Sequence, residues 1–96
     1  MFLVLVQYVR PLAAIDHYID QHMAFLKKYS DSGQFAISGR RKPRTGGLIL
    51  VKADSRRAVE AIIAEDPFDR LQLALYEIIE FEPTTVNETL LSYLDK

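Results

Sequence analysis

The chain contains no cysteine. That excludes disulfides, thiolate nucleophiles and cysteine-based zinc sites together. It has no excess of either charge. Lys and Arg number 12 against 13 Asp and Glu, a formal net charge of -1, which speaks against a general binder of nucleic acid or anionic membranes. No apolar run is long enough to span a bilayer. The opening MFLVLVQYVR also lacks a basic n-region, so it reads as a buried strand. A cytoplasmic protein is the expectation. Linkers, internal repeats and low-complexity runs are absent. The glycine pair of TGG lacks the strand–loop–Lys–helix context of a phosphate loop. Nothing around Ser38 resembles a nucleophile elbow. His17 and His22 lie roughly 140° apart around a helix of ~3.6 residues per turn, a poor spacing for a shared metal. No metal and no cofactor is expected.

What is present is an ordinary globular composition, 49% hydrophobic and 26% charged over 96 residues, which excludes disorder and points to one domain. A chain this short buries only about 60–70% of its unfolded surface, so a partner subunit would add to a thin core.

Phe2–Tyr8 is a continuous apolar, β-branched run, as in a strand covered on both faces. Pro11 breaks it. From about Leu12 to Ser32 the spacing turns helical, with Ile15, Ile19, His22, Leu26 and Tyr29 recurring at three and four. Gly33 suits the stop. QFAISG reads as a short strand, RRKPRTGG as a turn-rich connection and LILVKA as a second apolar strand. Asp54 or Ser55 can cap a helix running to about Glu65, with Ala58, Ile62 and Ala61 inward. EDPFD ends it, because a residue before proline is pushed out of the α region. LALYEIIEF is the last strand. A core of residues 1–83 and a helical tail of 84–96 complete a single domain, 1–96.

The order β-α-β-β-α-β suggests a ferredoxin-like α+β sandwich, a four-stranded antiparallel sheet with two helices on one face. The first and third strands, being the most apolar, suit the central positions. Their second apolar parity, including Leu3, Leu5, Leu48 and Leu50, would lie on the open face. A patch of that size calls for cover, and a two-fold homodimer is the simplest cover. The topology gathers Arg10, the start of the first helix, Ser38, Gly39 and Asp66 at one end of the sandwich.

HMAFLKKYSDSGQFAISG, then KPRTGG, then EDPFDRLQLALYEIIEF resemble the YCII-related domain family, in that order and spacing. The resemblance runs from the first strand to Phe81. It implies a dimeric α/β barrel built from ferredoxin-like protomers, similar in fold to muconolactone isomerase. It also implies a His–Asp pair in a pocket, and a dehydrochlorinase of chloroaromatic breakdown is among the members. By position, the pair is His22 and Asp66, and the small polar residue of SG is Ser38. The basic connection exceeds the family pattern, and the tail lies outside it.

Each candidate has a plainer role. A histidine on an apolar helix face is commonly a hydrogen-bonded core residue. As chemistry, imidazole titrates near ~6.5, so both forms are accessible at neutral pH, and a carboxylate partner would fix its tautomer. Such a pair can remove and return a proton, which suits isomerisation or elimination. Asp66 before Pro67 can also be a turn cap, with Asp69 as its weaker substitute. Ser38 alternates with Phe35 and Ile37. If those face the helices, Ser38 points to the open face, unless the strand bulges. Arg40, Arg41, Lys42 and Arg44 form a basic loop that is either solvated or offers Arg40 or Arg44 to a carboxylate or phenolate. Phe68 and Tyr76 read as core aromatics, and Phe68 is carried as a further candidate substrate contact. The expectation is a small cofactor-independent isomerase or lyase acting on a cyclic or aromatic-derived acid. A non-catalytic small-ligand binder and a purely structural dimer fit the same residues. RNA recognition fits least, because the paired exposed aromatics of RNA-binding sandwiches are missing.

Overall fold

Seven residues with one polar interruption, Phe2–Tyr8, form β1, and β1 lies inside the sheet. In the computed structural model, which describes residues 1–94, the order continues with α1 (Leu12–His17), α2 (Ile19–Asp31), β2 (Phe35–Arg40) and β3 (Gly46–Val51). Then come α3 (Arg56–Ile63), α4 (Pro67–Arg70), β4 (Ala74–Glu80) and α5 (Glu88–Leu94). The sheet order is β2-β3-β1-β4, antiparallel throughout. This is the ferredoxin-like α+β sandwich, with the two most apolar strands in the centre as expected. Residues 95 and 96 of the expected tail lie outside the described residues.

One parity of each central strand builds the core. Phe2, Val4 and Val6 of β1 and Ile49 and Val51 of β3 are buried, together with Ile15, Val59 and Phe68 from the helical layer. Each such side chain contributes roughly 1.5–3 kcal/mol relative to exposure. The other parity forms the open face. Leu3 pairs with Leu50 and Ile79, and Leu5 with Leu48. At its margins Ile37 is 67% and Leu48 41% exposed. Gly46 opens β3 for a steric reason: a Cβ there would sit 1.8 Å from the Val6 carbonyl oxygen. Gly33, at φ +86°, supplies the left-handed residue after α2.

Three local expectations are corrected. The single helix from Leu12 to Ser32 is two helices. Tyr18 adopts φ -110°, ψ 10° between them, and its N–H turns to the Ile15 carbonyl at 3.1 Å. His22 therefore sits in the first turn of α2. In α3 the inward face is Val59, Ile62 and Ile63, with Ala58 half-buried and Ala61 exposed. The larger side chains take the core-facing stripe. Of the two cap candidates, Ser55 fills the role, as one of the expected alternatives, accepting from the Ala58 N–H at 3.1 Å.

The third correction is in β2. Phe35 pairs with Val51 but Ile37 pairs with Leu50, so Ala36 is an extra residue, a β-bulge. Beyond it the parity inverts. Ile37 faces the open side, and Ser38, opposite buried Ile49, faces the helices.

Candidate functional site

Asp66 is where two local demands meet. Proline at 67 holds it extended, at φ -74° and ψ 127°, and it becomes the N-cap of α4. Its Oδ1 accepts the Phe68 N–H at 3.0 Å. The carboxylate is completely buried, the one buried charged side chain among the described residues. A group so placed needs partners. His22 Nδ1 lies 2.9 Å from Oδ1 and 3.0 Å from Oδ2. The Tyr76 hydroxyl, from β4, donates to Oδ2. Asp66 is thus both the turn cap and the partner of His22. All three of its contacts come from donors, the surroundings that suit a carboxylate.

The Asp66 contact assigns the tautomer of His22: Nδ1 carries the proton and donates, leaving Nε2 to accept. Among the described residues Nε2 has no hydrogen-bond partner. The ring is stacked on Phe68, with centroids 4.0 Å apart and planes 7° from parallel. Phe68, read as a core aromatic and carried also as a candidate substrate contact, is completely buried beneath the imidazole, so the core reading holds and the substrate contact does not. Its place comes from α4, a single turn that the sequence showed only as a break. Tyr76 is pushed far above its ordinary pKa, first by burial and then by the adjacent Asp66 charge, so it stays a phenol donor. Burial and Asp66 also raise Asp69, which makes no bond to His22.

Beside the imidazole a cavity of about 310 Å³ opens between α2 and the sheet. His22 lines it along with Tyr8, Ser38 and Arg40, and Ile19, Met23 and Leu26 make an apolar wall from α2. The bulge at Ala36 brings Ser38 here. Arg40 stands at this cavity, whereas Arg44 does not line it. Arg44 pairs with Asp16 of α1. That hydrogen bond lowers the Asp16 pKa and is the main cause of a raised Arg44. Among the described residues no three His, Cys, Asp or Glu side chains gather to hold a metal.

Tyr8 and Tyr76 are the site residues that sequence reasoning missed. The available signal was parity: Tyr76 sits opposite Val6, and Tyr8 shares a face with Phe2, Val4 and Val6. Immediately before Asp66, Glu65 gathers a similar set on the surface. Its Oε1 accepts from Lys28 Nζ at 2.7 Å, and its Oε2 from the Tyr29 hydroxyl.

The arrangement can hold a small, partly apolar molecule with an imidazole nitrogen on one side and a guanidinium near it. The YCII-related domain model matches residues 1–82. The chain therefore belongs to the YCII-related domain family. No curated protein matches it in sequence. Among solved structures it is similar to the 5-chloro-2-hydroxyhydroquinone dehydrochlorinase of Burkholderia phenoliruptrix AC1100, in complex with 2,5-dihydroxybenzoquinone. The TM-score is 0.71 at 19% identity, over 85% of this chain and 94% of the dehydrochlorinase. That likeness is one of fold. Among the described residues no helix is long and apolar enough to cross a membrane.

Proposed function

We propose that this member of the YCII-related domain family is a small enzyme that moves a proton on a cyclic or aromatic-derived acid, as an isomerase or a dehydrochlorinase-like lyase. His22 Nε2 takes the proton, and Asp66 orients the ring and stabilises the imidazolium that forms. The observation that carries this reading is the division of labour on one imidazole: Nδ1 is engaged by a buried carboxylate while the ring edges a cavity. Phe68 locks the ring plane. Tyr76 and the Phe68 N–H hold Asp66 in place, as preorganised catalysis requires. Arg40 meets the substrate anion, with Ser38 as a further contact. The solved dehydrochlorinase of the same fold, with a hydroxyquinone bound, supports a substrate of this size and chemistry.

The test is a screen of chlorinated hydroquinones and unsaturated lactones for turnover. Activity should fall by roughly 10²–10⁴-fold in His22→Ala. Turnover unaffected by that change would refute the reading, and binding without turnover would favour a non-catalytic ligand binder. We further propose that the open face of the sheet is covered by a second copy of the chain. Leu3, Leu5, Leu48 and Leu50 form an apolar patch of the kind that marks an interface. Sedimentation should show a dimer at micromolar concentration and a monomer for Leu48→Lys.

A further inference from the structure

One ring of the cavity is unused by the mechanism above. Tyr8 ends β1, lines the cavity with His22, and meets Phe68 edge-on, at 5.9 Å and 90°. Phe68 thus fixes two cavity groups at once, the imidazole by stacking and the phenol by its edge. The Tyr8 backbone is held as firmly, its N–H donating to Thr45 at 2.8 Å and its position paired with Ala74. Ser38 offers a hydroxyl as well, but on an exposed stretch of the edge strand β2.

We propose that Tyr8 is a second catalytic residue. Its phenol donates a hydrogen bond to the substrate oxygen that gains negative charge when His22 takes the proton. The proposal rests on the proton-transfer reading and narrows its substrate to a carbon acid with a carbonyl beside the acidic C–H. In the first step the C–H bond breaks and the proton goes to Nε2. The C–H pair becomes a C=C bond, and the carbonyl π pair moves to oxygen, giving an enolate. Tyr8 keeps its proton throughout and only shares it. The enolate pair then returns, either expelling a leaving group from the neighbouring carbon as its anion, or taking the proton back from His22 at a conjugated carbon. In the elimination, the proton on His22 leaves to solvent. Such donors aimed at developing negative charge are a large source of rate enhancement.

The test uses Tyr8→Phe, which keeps the ring and its contact with Phe68. The probe is 2,5-dihydroxybenzoquinone, whose ionised form carries the delocalised oxygen charge of an enolate. Wild type should bind it, and Tyr8→Phe should bind it about 10-fold more weakly or worse, since a hydrogen bond to a charged group is lost. The melting temperature should not move. On a substrate found in the screen, Tyr8→Phe should lower kcat more than it raises KM. No binding by wild type, or equal affinity in Tyr8→Phe, would overturn the proposal and leave the His22–Asp66 reading standing. Unchanged turnover in His22→Ala would overturn that reading instead, and with it the catalytic role of Tyr8.

Discussion

Glu65 and Asp66 are neighbours in the chain, and each gathers a basic side chain of α2 and a tyrosine hydroxyl. Glu65 takes Lys28 and Tyr29, and Asp66 takes His22 and Tyr76. The sets differ in two ways. Glu65 is 45% exposed, whereas Asp66 is sealed. The base beside Glu65 has one nitrogen, and the base beside Asp66 has two. A surface ion pair in water contributes little and screens away with salt. The same donors around a buried carboxylate are strongly coupled, because an unmatched group there has no water to turn to. Only an imidazole can be held through one nitrogen while the other stays available. Burial makes the Asp66 cluster consequential for stability, and the second ring nitrogen makes it capable of chemistry.

Substitutions separate these two contributions. The largest effect on stability should come from Asp66→Ala, which strands Tyr76, the Phe68 N–H and His22. It should lose roughly 3–5 kcal/mol, the usual cost of breaking a buried charged pair, read as a drop in denaturant midpoint. Glu65→Ala should barely move that midpoint, and equal shifts for the two would erase the distinction drawn here. Next in line is His22→Lys, which keeps a cation within reach of Asp66 but has no second nitrogen. Turnover should vanish while much of the fold stability survives, whereas Lys28→His should confer nothing. Tyr76→Phe removes one donor from a buried carboxylate and should cost roughly 1.5–3 kcal/mol, measured by thermal melting beside Tyr29→Phe.

The smallest effect is on acid sensitivity. Lys28, first, and Tyr29 hold the Glu65 carboxyl below its ordinary value of 4.5. Its folded pKa is thus lower than its unfolded one. The stability it contributes is present above 4.5 and lost as pH falls through the lowered value. Glu65→Gln should therefore flatten the acid limb of the melting curve slightly. Asp16→Asn should do the same, because Arg44 lowers the Asp16 pKa from 3.8.

Much of this was legible from the sequence, for identifiable reasons. Strand hydrophobicity separated central β1 and β3 from the edges, and Pro67 located Asp66. Both signals are local. The parts that escaped depend on geometry with no residue to announce it. The break at Tyr18 occurs in DHYID, which contains neither proline nor glycine. Sequence periodicity alone therefore ran straight through it. Tyr8 and Tyr76 sit in strands where an aromatic is ordinary, and only the third dimension shows the Tyr76 hydroxyl on the buried carboxylate and Tyr8 at the cavity wall. Phe68 was legible as a core aromatic, but its place beneath the imidazole was not, because α4, the turn that sets it there, is four residues long.

The extra residue at Ala36 has a consequence for how such chains diverge. Were the same residues to pair without the bulge, Ile37 would lie opposite Ile49 and line the cavity, and Ser38 would turn to the open face opposite Leu48. Excising Ala36 itself would leave both where they are, because the residue removed is the unpaired one. An alanine at the sheet's margin is thus dispensable to a sister chain, whereas flattening the kink around it would exchange a wet wall for a greasy one, with the His22–Asp66 couple, anchored elsewhere, untouched.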